Sequence, residues 1–111
     1  MNENSIEYID LAQSGELSDG QSKLIRAGGE EYALFYVGGV YYCCSNYCPH
    51  QHRSELHLGQ LRGTEITCPV HGWAFSLETG IGRQGGKLAM LKVHEEDGRV
   101  WAEKPKSKFM F

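Results

Sequence analysis

Two glycine pairs constrain this chain more than any other feature of its sequence. Gly28-Gly29 separates Ser22–Ala27 from Glu30–Val37 (EEYALFYV), and Gly38-Gly39 separates that run from Val40–Cys44 (VYYCC). Aromatic and β-branched residues favour strands, and a Gly-Gly pair supplies the positive-φ positions of a two-residue hairpin turn. Asp97-Gly98 marks a further hairpin between Leu88–Val93 and Arg99–Ala102. Ser5–Ile9, Glu65–Thr67 and Trp73–Ser76 complete the predicted strands. No window of helical length carries a 3.6-residue apolar period. The pattern predicts an all-β fold, an antiparallel β sandwich or small barrel closed by pairing between the two ends of the chain.

The chain has 111 residues, enough for one domain (residues 1–111) and one ordinary core. Its net charge of -3 gives no global attraction to phosphate backbones or anionic lipid, so neither nucleic acid nor membrane is an expected partner. The N-terminal MNENSIEYIDLAQ lacks a basic start followed by an apolar stretch, and no apolar run is long enough to span a bilayer. A cytoplasmic, reducing location is therefore expected, where structural disulfides are rare. Yet Cys43, Cys44 and Cys48 crowd together, with Cys68 further on. Metal binding is the first alternative use for such thiols.

The strand pattern breaks at 45–54 and again at 68–73. The first break holds Cys48-Pro49-His50 and the second Cys68-Pro69-Val70-His71-Gly72-Trp73, a C-x-H box and a C-x-x-H box separated by 17 residues. Each box supplies one thiolate and one imidazole. A single structural zinc could take all four, although one residue between Cys48 and His50 is shorter than zinc pairs usually show. In extended chain, residues two apart leave on the same side, about 6–7 Å apart along the strand. Such a pair could instead reach two adjacent metal atoms, each taking one ligand from each box, as a [2Fe–2S] cluster with two Cys on one iron and two His on the other would need.

The segment 47–80, YCPHQHRSELHLGQLRGTEITCPVHGWAFSLETG, strongly resembles the two cluster-binding boxes of Rieske-type ferredoxins. Its second box, Cys-Pro-x-His-Gly-Trp-x-Phe followed by Leu-Glu-Thr-Gly, is the more specific. The resemblance implies one [2Fe–2S] cluster with Cys48 and Cys68 on one iron and His50 and His71 on the other. It also implies an antiparallel β sandwich carrying a cluster-binding subdomain whose loops lie within 45–86. Respiratory Rieske proteins add a disulfide and Ser and Tyr donors near the second box. Val70, Trp73 and Phe75 stand at those positions here, which places the chain with the low-potential ferredoxins. Two departures stand out. The first loop, with Gln51-His52-Arg53-Ser54, is one residue longer than most, and the third loop, Gly80–Gly86, lacks a Pro and promises a looser cover.

By that resemblance the chain would take single electrons from a flavin-containing reductase and deliver them to a terminal oxygenase or other redox protein, through the edge of His50 or His71. A small subunit of a larger redox enzyme, such as nitrite reductase, is the alternative, and a structural zinc module the third. No nucleophile–base pair or phosphate loop stands out, and 111 residues leave no room for a mononuclear-iron oxygenase domain, so the chain alone is not expected to be an enzyme. Of the remaining residues, one of Cys43 and Cys44 is expected in the core and the other at an edge. Trp73 and Phe75 are expected to shield the cluster or fill the core, and Trp101 to lie in the core. His52, His57 and His94 are expected at the surface, and 103–111 as a frayed tail.

Overall fold

The computed structural model describes residues 6–47, 55–69 and 72–105. It forms two antiparallel sheets. The larger contains β1 (Ile6–Gln13), β2 (Gln21–Ala27), β3 (Glu30–Val37), β4 (Val40–Ser45), β8 (Met90–Glu96) and β9 (Arg99–Pro105), in the spatial order β1-β9-β8-β4-β3-β2. The smaller is built from three short strands, β5 (Gln60–Arg62), β6 (Glu65–Thr67) and β7 (Ala74–Ser76), in sequence order.

The three predicted hairpins are present. Ala27 faces Glu30, Val37 faces Val40 and Glu96 faces Arg99 across two-residue turns. Both central residues of each turn have positive φ, including Asp97 at 55°, the one non-glycine residue there among those described. The ends of the chain also meet as expected, since β1 pairs with β9 from Ile6↔Pro105 to Gln13↔Arg99. Glu103–Pro105 are therefore strand and not the start of a frayed tail; the rest of that segment, 106–111, lies outside the described residues.

Strand β3 explains how the molecule is layered. Its Tyr32-Ala33-Leu34-Phe35 run is buried at every position, so both faces of the sheet are covered there. Tyr32 and Leu34 join Ile9, Leu11, Ile25, Cys43, Val100 and Ala102 on the inner face of the larger sheet. Ala33 and Phe35 join Cys44, Leu56, Ile66, Cys68, Phe75, Leu77 and Leu88 between that sheet and the smaller one. Cys43 and Cys44 point to opposite faces, as alternation requires, but neither is at an edge. Each is fully buried in its own core. Burial disfavours the charged thiolate, pushing Cys43 up to about 12 and Cys44 higher still.

A β-bulge separates Asp10 from Ala12 in β1, where the ladder to β9 slips. The unpaired Leu11 carbonyl accepts a hydrogen bond from Lys23 Nζ on β2 at 2.9 Å, so a side chain bridges the two edge strands. Trp101 is not a core residue. Val100 and Ala102 on either side of it point inward, so Trp101 lies on the outer face, half-buried beside His94 of β8, with its indole N–H donating to the Glu96 carbonyl. His94 is also half-buried, with Nδ1 2.9 Å from Glu103 and Tyr8 edge-on to its ring.

Candidate metal centre

The register of the smaller sheet aligns the chain that leaves the first box with the two ends of the second. Gln60 faces Thr67, and Thr67 faces Ala74. The chain returning from the first box at Gly59, the start of the second box at Cys68, and its end at Trp73 therefore all sit at one end of this sheet. Gly59 is required there. A Cβ at that position would lie 2.3 Å from the Thr67 carbonyl oxygen, so only glycine allows the returning chain to come this close to the second box.

The second box is closed on itself. The Cys68 N–H donates to the Trp73 carbonyl at 2.7 Å, and the Gly72 N–H donates to the Cys68 carbonyl at 3.1 Å. Gly72 has a φ of 74°, which an L side chain rarely adopts. Cys68 itself is 1% exposed among Leu56, Ile66, Phe75 and Leu77, with the half-buried Trp73 packed against the group. Phe75 thus fills the core and Trp73 packs against it, the core alternative of the two roles expected of them.

The first box is clasped at its base. Asn46, fully buried, donates its N–H to the Glu31 carbonyl at 3.0 Å and accepts the Leu56 N–H on its own carbonyl at 3.3 Å. Its side-chain Oδ1 accepts the His57 N–H at 2.7 Å, and its Nδ2 lies 2.9 Å from His57 Nδ1. Leu56–Leu58 form a single 3-10 turn that completes this base. His57 is therefore not a free surface residue. Nothing in the sequence around Asn46 and His57 announces their pairing, because it spans the whole first box.

The third loop is pinned rather than loose. Arg83 N–H donates to the Ala74 carbonyl at 2.9 Å, and the Ala74 N–H donates to Gln84 Oε1 at 3.2 Å. Gly82 pairs with Phe75, and a Cβ on it would fall 2.3 Å from the Gly85 carbonyl and 2.7 Å from the Phe75 ring. Arg83 also forms an ion pair with Glu65 of β6. Hydrogen bonds to the backbone of Ala74 do here what a proline was expected to do.

Of the four candidate ligands, Cys68 is described, while Cys48, His50 and His71 lie outside the described residues, as do His52 and Arg53. No three metal-binding side chains cluster among the described residues. The surroundings of Cys68 nonetheless fit a metal–sulfur centre. The apolar wall of Leu56, Phe75 and Trp73 excludes solvent from that side, a setting in which Cys68 would be held as a thiolate only with a metal cation to compensate its charge.

Residues 7–101 match the family model described as Rieske [2Fe-2S] domain. The ferredoxin component of the alkene monooxygenase system of Xanthobacter autotrophicus is 30% identical over 102 residues, covering 88% of this chain and 82% of that protein. The cholesterol 7-desaturase nvd of Hemicentrotus pulcherrimus is 36% identical over 74 residues, but this chain spans only 16% of its length. Among solved structures, a chain from a complex of reduced oxygenase and oxidised ferredoxin in carbazole 1,9a-dioxygenase superimposes with a TM-score of 0.80 at 26% identity, over 91% of this chain and 97% of that one. An NADH-dependent nitrite reductase small subunit from Mycobacterium tuberculosis reaches a TM-score of 0.84 at 15% identity, over 93% of this chain and 99% of that one, which shows a shared fold. The family match selects an iron–sulfur cluster over zinc as the cofactor. With an all-β scaffold, a family-model match across residues 7–101 and ferredoxin components among its relatives, the chain belongs to the Rieske [2Fe-2S] family as an electron-carrying, ferredoxin-type member.

Proposed function

We propose that this chain works in the cytoplasm, carrying single electrons from a flavin-containing reductase to a terminal oxygenase, and that Cys48, His50, Cys68 and His71 hold its [2Fe–2S] cluster. The whole of 1–111 then acts as one domain, with the cluster loops inside 45–86. When bound, the cluster supplies a reversible one-electron redox centre. Two histidines in place of two thiolates leave it about two charge units less negative than an all-cysteine cluster, which raises its potential.

The observation that carries this reading is that Gly59, Cys68 and Trp73, which flank the two boxes in the sequence, meet at one end of the smaller sheet, with Cys68 buried there. In that arrangement the protein's own residues have separate tasks. Leu56, Phe75 and Trp73 keep water from the sulfur side, the Cys68–Trp73 turn holds the two ends of the second box together, and Gly59 lets the returning chain pass close to Thr67. Likeness to a ferredoxin component over 82% of that protein favours the oxygenase-linked carrier over the nitrite reductase subunit, whose likeness extends to the fold alone.

Electron paramagnetic resonance of the dithionite-reduced protein tests the ligand set, since mixed nitrogen and sulfur ligation lowers the average g value below that of an all-sulfur cluster. Rapid mixing of the reduced protein with an oxidised Rieske oxygenase tests the role, and reoxidation within the time of one oxygenase turnover is expected. A protein without iron and acid-labile sulfide would overturn the first claim. Cluster-loaded protein that leaves the oxygenase oxidised would overturn the second.

A further inference from the structure

The smaller sheet covers the outer face of the larger one over only part of its width. It packs on Ala33, Phe35 and Cys44 of β3 and β4, with Met90 of β8 at the margin. Beyond Met90 the face formed by β8, β9 and β1 is open, and Tyr8 stands 56% exposed on it. A groove of about 380 Å³ lies there, lined by Tyr8, His94, Glu96, Asp97 and Trp101. Strand register builds it. His94 faces Trp101 across β8 and β9. Tyr8 faces Glu103 and Asp10 faces Trp101, so Tyr8 and Trp101 are diagonal neighbours. Tyr8 is edge-on to the His94 ring, with centroids 5.8 Å apart, and the Trp101 indole N–H is anchored on the Glu96 carbonyl.

Aromatic walls under a carboxylate rim are complementary to a cation, because ring faces carry partial negative charge and the carboxylates add to the attraction. The described cations do not meet that demand. Arg99, on the same face, pairs with Asp10 at 2.9 Å. Lys92, opposite Glu103, borders a separate hollow with Ile6 and Met90. Glu96 contacts His94 Nε2 at 3.5 Å, and among the described residues neither it nor Asp97 has a Lys or Arg partner. The wider field has the same sign. Residues 6–47 and 89–105 carry ten carboxylates against five Lys and Arg, whereas the described residues of 55–88 carry three of each.

We propose that this groove binds an arginine side chain displayed by a basic segment of a protein partner. A planar guanidinium can lie on an aromatic ring while its N–H groups reach Glu96 and Asp97, which a lysine ammonium cannot do together. The groove anchors a partner; it does not pass electrons to it. His94 is four residues along β8 from Met90, about 13 Å from the residue that packs against the core of Cys68. The inference is therefore independent of the ligand assignment proposed above.

The test is a nuclear magnetic resonance titration of the full chain, labelled with nitrogen-15, against a short peptide of glycines around one arginine, blocked at both ends. The control peptide carries citrulline, which keeps the shape of arginine without its charge. The Trp101 indole N–H and the Gly98 backbone amide report on the groove, and the remaining amides report on the fold. The arginine peptide should shift both signals saturably, and the citrulline peptide should bind at least about tenfold more weakly. Trp101→Leu, read at Gly98, should weaken arginine binding about tenfold. Asp97→Asn removes charge while keeping a residue that tolerates the left-handed turn, and should weaken it about threefold. Equal binding of the two peptides, no saturable shift, or full binding by both variants would overturn the proposal. Two other occupants are tested in the same spectra. If the two signals move with protein concentration alone, a second copy of the chain fills the groove. If they move when residues 106–111 are deleted, the chain's own end does. Either result would also overturn it.

Discussion

The two sheets solve different problems with the same residue, glycine. In the larger sheet, Gly28, Gly29, Gly38 and Gly39 sit at φ between 58° and 84°, and a Cβ on any of them would meet open space. They are there for backbone conformation. Around the smaller sheet, Gly59 and Gly82 have no positive φ, yet a Cβ on either would fall 2.3 Å from a carbonyl oxygen. They are there for space. The larger sheet is a chain of hairpins with long ladders. The smaller is three strands of three residues each, held by backbone approaches and clasps, and a hairpin of that length is marginal without a partner. Its stability comes from packing on β3 and β4 and, in the proposed reading, from the cluster.

The largest expected effect separates the two regions outright. His71→Ala should leave the protein without its normal visible spectrum while the larger sheet keeps its fold. Hydrogen exchange is expected to show slow amides in β3, β4 and β9 and fast amides in β6 and β7. Loss of protection across both sheets together would show that they form one cooperative unit.

The glycine contrast predicts the next effect. Gly38→Asn should change stability by less than about 1 kcal/mol, because Asn tolerates the left-handed region and its side chain meets nothing. Gly82→Asn should cost about 3 kcal/mol by overpacking against the Gly85 carbonyl and the Phe75 ring. Urea midpoints of the two variants measure the difference. Equal losses would mean that both glycines serve conformation alone.

Much of this division was legible in the sequence. Gly-Gly and Asp-Gly turns fix the hairpins because positive φ is a local demand that few residues meet, and the first pairing of chain ends followed from them. The short strand Gln60–Arg62 was not legible, since Leu61 is its one apolar residue. Trp101 was placed in the core because it is large and apolar. Strand alternation decides instead, and Val100 and Ala102 take the inner face. One of Cys43 and Cys44 was expected at an edge because nothing in VYYCC says that both faces of β4 are covered. The boxes themselves were plain in their spacing. The Asn46–His57 clasp and the Gln84–Ala74 bond were not, because they join residues across loops whose path the sequence does not give.

The two buried thiols give the third effect, one per core. Cys43 is pushed up from 9.0 to about 12 by burial, and Cys44 is raised as well. Since the unfolded chain releases these protons first, the contribution is whole below pH 9 and is lost as pH rises from about 9 toward 12, by about 1.4 kcal/mol per pH unit for each thiol. Tyr and Lys also titrate there, so the clean measurement is the difference between wild type and Cys43→Val at pH 8 and at pH 10. That difference should shift against wild type at the higher pH. No shift would mean that the thiol ionises in place.

The smallest effect concerns the one seam the larger sheet leaves open, between its edges β1 and β2. Lys23 spans it, donating to the bulged Leu11 carbonyl at 2.9 Å and pairing with Glu16 at 2.8 Å. Lys23→Met keeps the aliphatic stem and removes both contacts, and a loss of about 1 kcal/mol is expected, chiefly from the orphaned carbonyl. The Glu16 pairing leaves a separate mark. Its hydrogen bond with Lys23 holds the carboxyl below its ordinary value of 4.5. Such a group stabilises the fold above that pH and ceases to do so as pH falls through the lowered folded-state value. Wild type should therefore lose slightly more stability than Lys23→Met between neutral pH and pH 3. If the variant instead shows the same acid slope and the same urea midpoint as wild type, the seam is closed by packing of Leu11 and Ile25 across the inner core, and the larger sheet is nearer to a barrel than its hydrogen-bond ladder indicates.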